Sequence, residues 1–110
     1  MNCRYHVQWS RTASHDAQAI LSYIAQESRR TALHLLKQWR MKASTLARHP
    51  RRGRALPELA HIPGLPFREL VMTPWRLVYR VDRHTISVLA LLDGRRDLAD
   101  LLHERLIREK

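Results

Sequence analysis

The stretch TISVLALL, Thr85 to Leu92, is apolar at nearly every position. Successive side chains of a strand point to opposite faces, so a strand with one wet face alternates apolar and polar residues. This stretch does not alternate, and it therefore reads as a central strand covered on both faces. The two segments before it do alternate. FRELVM (67–72) sets Phe67, Glu69 and Val71 against Arg68, Leu70 and Met72. WRLVYRV (75–81) sets Trp75, Leu77, Tyr79 and Val81 against Arg76, Val78 and Arg80. The connections TP and DRH are short, so the three segments form a meander of antiparallel strands.

The rest of the chain supplies the cover. Residues 4–9 alternate Tyr5, Val7 and Trp9 against Arg4, His6 and Gln8, the period of a half-buried strand that joins the sheet at its edge or its centre. Ser10 can cap a helix, and Ala13, Ala17, Ile20, Leu21 and Ile24 recur at helical spacing. Glu27 and Ser28 break that stripe. A second one runs Ala32, Leu35, Leu36, Trp39, Ala43, Leu46 and stops before His49-Pro50, where proline disfavours helix at the preceding residue. Two amphipathic helices so close together make an antiparallel hairpin. Residues 49–66 hold four of the five prolines and two of the three glycines, so they are mostly loop, with a short extended piece near 55–59. The last segment, DLADLLHERLIREK, places Leu98, Leu101, Leu102 and Ile107 on one side and reads as a C-terminal helix. The expected fold class is α+β, a two-layer sandwich with helices on one face of a small sheet, in one domain spanning 1–110.

Composition narrows the function. A chain of 110 residues buries roughly two thirds of its unfolded surface, so its core needs neither metal nor disulfide. Cys3 is the only cysteine, which fits a reducing cytoplasm. No apolar run approaches the ~20 residues of a membrane span, and the N-terminal residues lack the apolar core of a secretory signal. The seven histidines are scattered without a helical metal-binding spacing, so no metal is expected, and no glycine cluster cradles a phosphate-bearing cofactor. Net charge is +10, carried by 17 Arg and 3 Lys against 10 acids. Arginine forks onto carboxylates and phosphates, so an anionic partner is expected, either nucleic acid or an acidic protein.

The chain resembles the RelE/ParE family of toxins from bacterial type II toxin–antitoxin modules. The resemblance rests on YHVQWSRTASHDAQAILSYIAQES at the front, HPRRGRALPEL in the middle and FRELVMTPWRLVYRVDRHTISVLALLDGRRDL at the back. It implies the fold just described. It also implies one of two activities: RelE-like members cut mRNA on the ribosome, whereas ParE-like members poison DNA gyrase. In both, a neighbouring antitoxin neutralises the toxin by wrapping it with a helix and an extended segment.

RNA cleavage needs a base, an acid and cations for the phosphate. By resemblance, Arg76 and Arg96 match phosphate-contacting arginines and Arg68 matches one of two lysines. The second lysine position falls on Leu70, and the base-stacking tyrosine falls on Leu102. His103 lies one residue further, turned about 100° from 102 on a helix, and does not simply replace it. Tyr79 and His61 are titratable without a motif. A nuclease would therefore rest on Arg68, Arg76, Arg96 and His103. The favoured expectation is instead a ParE-like binder without catalytic residues. Its target-binding or phosphate-binding set is Arg51, Arg52, Arg54, Arg76, Arg80, Arg95 and Arg96. Its antitoxin-binding set is Ile20, Leu21, Ile24, Leu36, Trp39 and Leu77. The plainer alternatives are that Arg76 and Arg80 pair with Glu69 and Glu58, that HPRRGR is an ordinary basic loop, and that Trp9, Trp39 and Trp75 are packing residues. A complex-forming relative without toxicity is a third class. The expected partners are an acidic, ParD-like antitoxin and DNA gyrase, or else the ribosome and mRNA; neither a membrane nor a small-molecule cofactor is expected.

Overall fold

The computed structural model describes residues 4–59 and 61–93. A short strand, β1 (His6–Trp9), leads into two helices, α1 (Arg11–Ala25) and α2 (Arg29–Ser44). A 3-10 turn at Thr45–Ala47 follows, then the two-residue strand β2 (Arg54–Ala55) and a second 3-10 turn at Pro57–Leu59. The meander β3 (Phe67–Met72), β4 (Trp75–Asp82) and β5 (Thr85–Asp93) completes the described fold. The sheet order is β1-β5-β4-β3-β2. The N-terminal strand takes the edge position, parallel to β5, with His6 opposite Thr85 and Trp9 opposite Val88. All other pairings are antiparallel. The C-terminal helix expected from DLADLLHERLIREK lies outside the described residues.

Both helices begin where a serine side chain accepts a backbone N–H that the first turn leaves without a partner. Ser10 Oγ accepts from Ala13 N at 3.0 Å, and Ser28 Oγ accepts from Thr31 N at 3.1 Å. Ser28, which in the sequence only interrupts the apolar stripe, is thus the cap that starts α2. The stripe itself outlasts the α-helix: Leu46 is fully buried but sits in the 3-10 turn.

The main core lies between the hairpin and the sheet. Ala13, Ala17, Trp39, Ala43 and Leu46 meet Leu70, Met72, Leu77, Tyr79, Ile86, Val88 and Leu91. Trp39 of α2 packs edge-on against Trp75 of β4, with ring centroids 5.2 Å apart. That arrangement suits the ring quadrupoles and makes both residues packing elements.

The apolar run of β5 has a specific cause. Tyr79 pairs with Val88 but its neighbour Val78 pairs with Ala90, so Leu89 is an extra residue, a bulge in the ladder. The bulge shifts the alternation by one. Ile86, Val88 and Leu91 therefore face the helices, while Ala90 and Leu92 join Val78, Leu56, Leu59 and Phe67 in a second apolar cluster on the opposite face. The edge of β5 beyond the end of β1 is served from α1 and its cap. Ser10 N donates to Val88 O at 2.9 Å, Ser10 Oγ reaches Leu89 O at 3.4 Å, and Asp16 Oδ2 accepts from Leu91 N at 3.1 Å.

Candidate functional site

Three surfaces hold the residues that the sequence singles out. The first is the sheet face away from the helices. Glu69 of β3 is 1% exposed, and its two carboxylate oxygens accept from Arg54 Nε at 2.6 Å and from Arg76 Nε at 2.5 Å. The other edge of the Arg76 guanidinium grips Glu58, with Nη1 to Oε2 at 2.8 Å and Nη2 to Oε1 at 2.9 Å. Glu58 belongs to the 3-10 turn that carries Leu59 over the second apolar cluster, so this fork also clamps the turn onto the sheet. The Arg76 hydrogen bonds hold the Glu58 carboxyl below its ordinary 4.5, and the two carboxylates raise Arg76 further above its already high value.

Arg76, expected as a phosphate or target contact, is engaged by internal carboxylates in the chain alone. Its side chain is 11% exposed and three of its donors are used by two internal carboxylates. An incoming phosphate would have to displace both, leaving buried Glu69 with only the largely exposed Arg54. The plainer reading, pairing with Glu58 and Glu69, is the observed one. Arg80 does not share it: its Nε is buried and makes no hydrogen bond among the described residues.

The second surface is the turn HPRRGR. The buried Tyr79 hydroxyl donates to Pro50 O and accepts from Gly53 N, both at 2.9 Å, and so spans the turn from below. Arg68 Nη1 donates to Gly53 O at 2.7 Å. A Cβ on residue 53 would lie 2.7 Å from the Tyr79 hydroxyl and closer still to the Glu69 carbonyl, so glycine is required for the turn to sit this low. Arg51, Arg52 and Arg54 are exposed, and Arg54 reaches back to the buried Glu69 carboxylate. Burial raises the Tyr79 pKa, and both of its hydrogen-bonding roles are filled, so it is a pin and no proton shuttle. Arg68 is likewise part of the cradle, through one of its five N–H donors.

The third surface is the helical hairpin. A groove of about 550 Å³ runs between α1 and α2, lined by Ala17, Leu21, Leu33 and Leu36, with Trp39 in its lining and Arg29 and Arg40 at its rim. A separate cleft of about 480 Å³ lies between α1 and the end of the sheet, lined by Ile20, Tyr23, Ile24, Pro74, Trp75 and Leu92. The six residues expected to meet an antitoxin therefore divide. Leu21, Leu36 and Trp39 share the hairpin groove; Ile20 and Ile24 face the other cleft. Leu77 is fully buried in the main core and is corrected to a packing residue, as the central strand under the hairpin leaves it no access. Arg95, Arg96 and His103 lie outside the described residues. Among the described residues, no group of three or more His, Cys, Asp or Glu is placed to hold a metal ion, and no helix is long and apolar enough to cross a membrane.

The model of the ParE toxin of the type II toxin–antitoxin system parDE matches residues 7–98. The chain belongs to the ParE toxin family. A search of curated proteins finds no match to this ParE-family chain. Among solved structures it is similar to a chain of the chromosomal ParDE toxin–antitoxin system from P. aeruginosa, at 22% identity and a TM-score of 0.65, covering 82% of this chain and 96% of that one. At that identity the likeness speaks to the fold. The ParE fold here places its cations on two kinds of ground: one arginine sealed under carboxylates on the sheet, and a group of free ones on the turn and along the hairpin.

Proposed function

We propose that this chain is the toxin of a type II toxin–antitoxin module, that it acts in the cytoplasm by binding and poisoning DNA gyrase, and that an acidic, ParD-like antitoxin neutralises it. The observation that carries a binding role is the state of Arg76. A phosphate-cutting centre on this sheet would be organised around that guanidinium, and it is neutralised by Glu58 and Glu69. Tyr79, a titratable group that the sequence offers on the same strand, is engaged at both of its hydrogen-bonding sites. In a ParE-like mode the chain needs no proton-transfer groups, because the chemistry belongs to the poisoned enzyme.

The antitoxin reading is supported by the hairpin groove. Its apolar floor accepts the apolar face of an amphipathic helix, and Arg29 and Arg40 at its rim favour carboxylates on that helix. The decisive test of the toxin reading is a supercoiling and cleavage assay with purified gyrase. Trapped cleavage complexes are expected at concentrations that arrest growth; arrest without them overturns the gyrase target. Primer extension on translated messages in the same cells would then reveal codon-linked cuts if the chain were a ribosome-dependent nuclease. No growth arrest on induction would identify a complex-forming relative without toxicity.

A further inference from the structure

From Ser28 to Pro57 the sequence holds nine Lys or Arg residues and not one Asp or Glu. The helical part of this stretch mixes its cations with exposed apolar side chains, Leu33 and Met41. The turn does not. Around it, Arg48, Arg51 and Arg52 are exposed, and the two non-polar residues among them, Pro50 and Gly53, are half-buried and buried respectively. Arg51 and Arg52 make no ion pair among the described residues; Arg52 Nη1 rests on the Thr45 hydroxyl at 2.8 Å. Protein interfaces bury an apolar centre inside a polar rim, and the turn offers none. Contacts to a nucleic-acid backbone are polar, strongly positive, and made by arginines and lysines held in register.

We propose that the turn at residues 48–52, fixed from beneath by the Tyr79 hydroxyl, is a grip for the phosphodiester backbone, so that the chain binds nucleic acid directly through Arg48, Arg51 and Arg52. The pinning at both ends of Pro50–Gly53 fixes the backbone that carries Arg51 and Arg52, so little loop freedom is lost when their exposed side chains engage phosphates. The carboxylates of the sheet do not compete, because Glu58 and Glu69 are occupied by Arg54 and Arg76. The inference does not depend on gyrase being the target, since it concerns naked nucleic acid.

The test is fluorescence anisotropy of the full chain with a duplex DNA and a single-stranded RNA of equal length, across a salt series. Each phosphate contact contributes a slope of about 0.9 in log K against log salt for duplex DNA and about 0.7 for a single strand. Replacing both Arg51 and Arg52 by Ala is expected to flatten the slope by about 1.8 or about 1.4 on the respective ligand. Removing the same charge with Arg29→Ala and Arg30→Ala, roughly 20 Å away at the far end of α2, is expected to change it much less. Arg51→Gln alone, at a side chain with no hydrogen bond or ion pair among the described residues, is expected to flatten the duplex slope by about 0.9 and serves if the double variant folds poorly. The ligand that shows the turn-dependent slope names the source. Equal effects of the two pairs would mean general attraction by a cationic protein and would overturn the grip. So would an acidic peptide binding with the same Arg51 and Arg52 dependence while neither nucleic acid binds.

Discussion

Arg76 shows how one side chain changes meaning once its neighbours are placed. Family resemblance leads one to expect a phosphate contact at this place on β4; in space the side chain bridges Glu58 and Glu69. Arg76→Met leaves Glu69 buried with Arg54 as its remaining partner. A loss of roughly 3 kcal/mol is expected, the lower part of the range for breaking a buried pair, measurable as a fall in the urea midpoint. The pH dependence follows from Glu58. Its carboxyl is held below the ordinary 4.5 by Arg76, so the stability it adds is complete above that value and is lost as pH falls through the lowered one. Thermal unfolding followed downward from pH 6 should therefore show a drop below about 4.5 that is smaller in Glu58→Gln; an equal drop in both would locate the acid sensitivity elsewhere. Tyr79→Phe removes a hydroxyl that serves Pro50 O and Gly53 N, leaving two buried-side backbone groups without their partner. A cost of about 1–3 kcal/mol is expected, together with faster amide exchange at Gly53.

At the scale of elements, what the sequence displays and what it hides have different physical origins. The hairpin, the meander and the edge strand are visible because periodicity follows from side-chain direction, which the backbone imposes locally. The bulge at Leu89 is hidden, because an unbroken apolar run has no phase to lose. The run correctly implies two covered faces, but it does not tell which residue serves which. Ser28 illustrates a cap read as a gap, since a serine between two stripes marks an end and a beginning equally well. Removing it in Ser28→Ala is expected to cost about 1 kcal/mol. The two-residue turn between β4 and β5 places Arg83 at φ 33°, a left-handed conformation that glycine adopts at less cost. Arg83→Gly is expected to leave the unfolding free energy unchanged or raise it by up to about 1 kcal/mol, while the same change at Arg76 lowers it. The site is legible only in part: the identity of the cations is in the sequence, but which are free depends on Glu58 and Glu69 arriving from two distant segments.

For the molecule as a whole, the distribution of charge matters more than its sum. The formal +10 is concentrated in an acid-free stretch that contains α2 and the basic turn, so the field is one-sided. Association with an acidic antitoxin should accordingly slow as salt rises, while dissociation, if the proposed docking in the hairpin groove holds it by apolar contacts, changes little. Stopped-flow association and dissociation rates from 50 to 500 mM salt check this; a salt effect confined to dissociation would contradict it.

The clamp on Arg76 also has a historical consequence. Three carboxylate and guanidinium positions that neutralise one another cannot drift independently: losing the arginine strands a buried acid, and losing Glu58 frees a cation beneath the turn it held. Lineages descended from a common ancestor should keep the trio or replace it together, with apolar residues entering at 69 and 76 in the same step. In such a family, the turnover of one glutamate marks when an arginine became available for another trade.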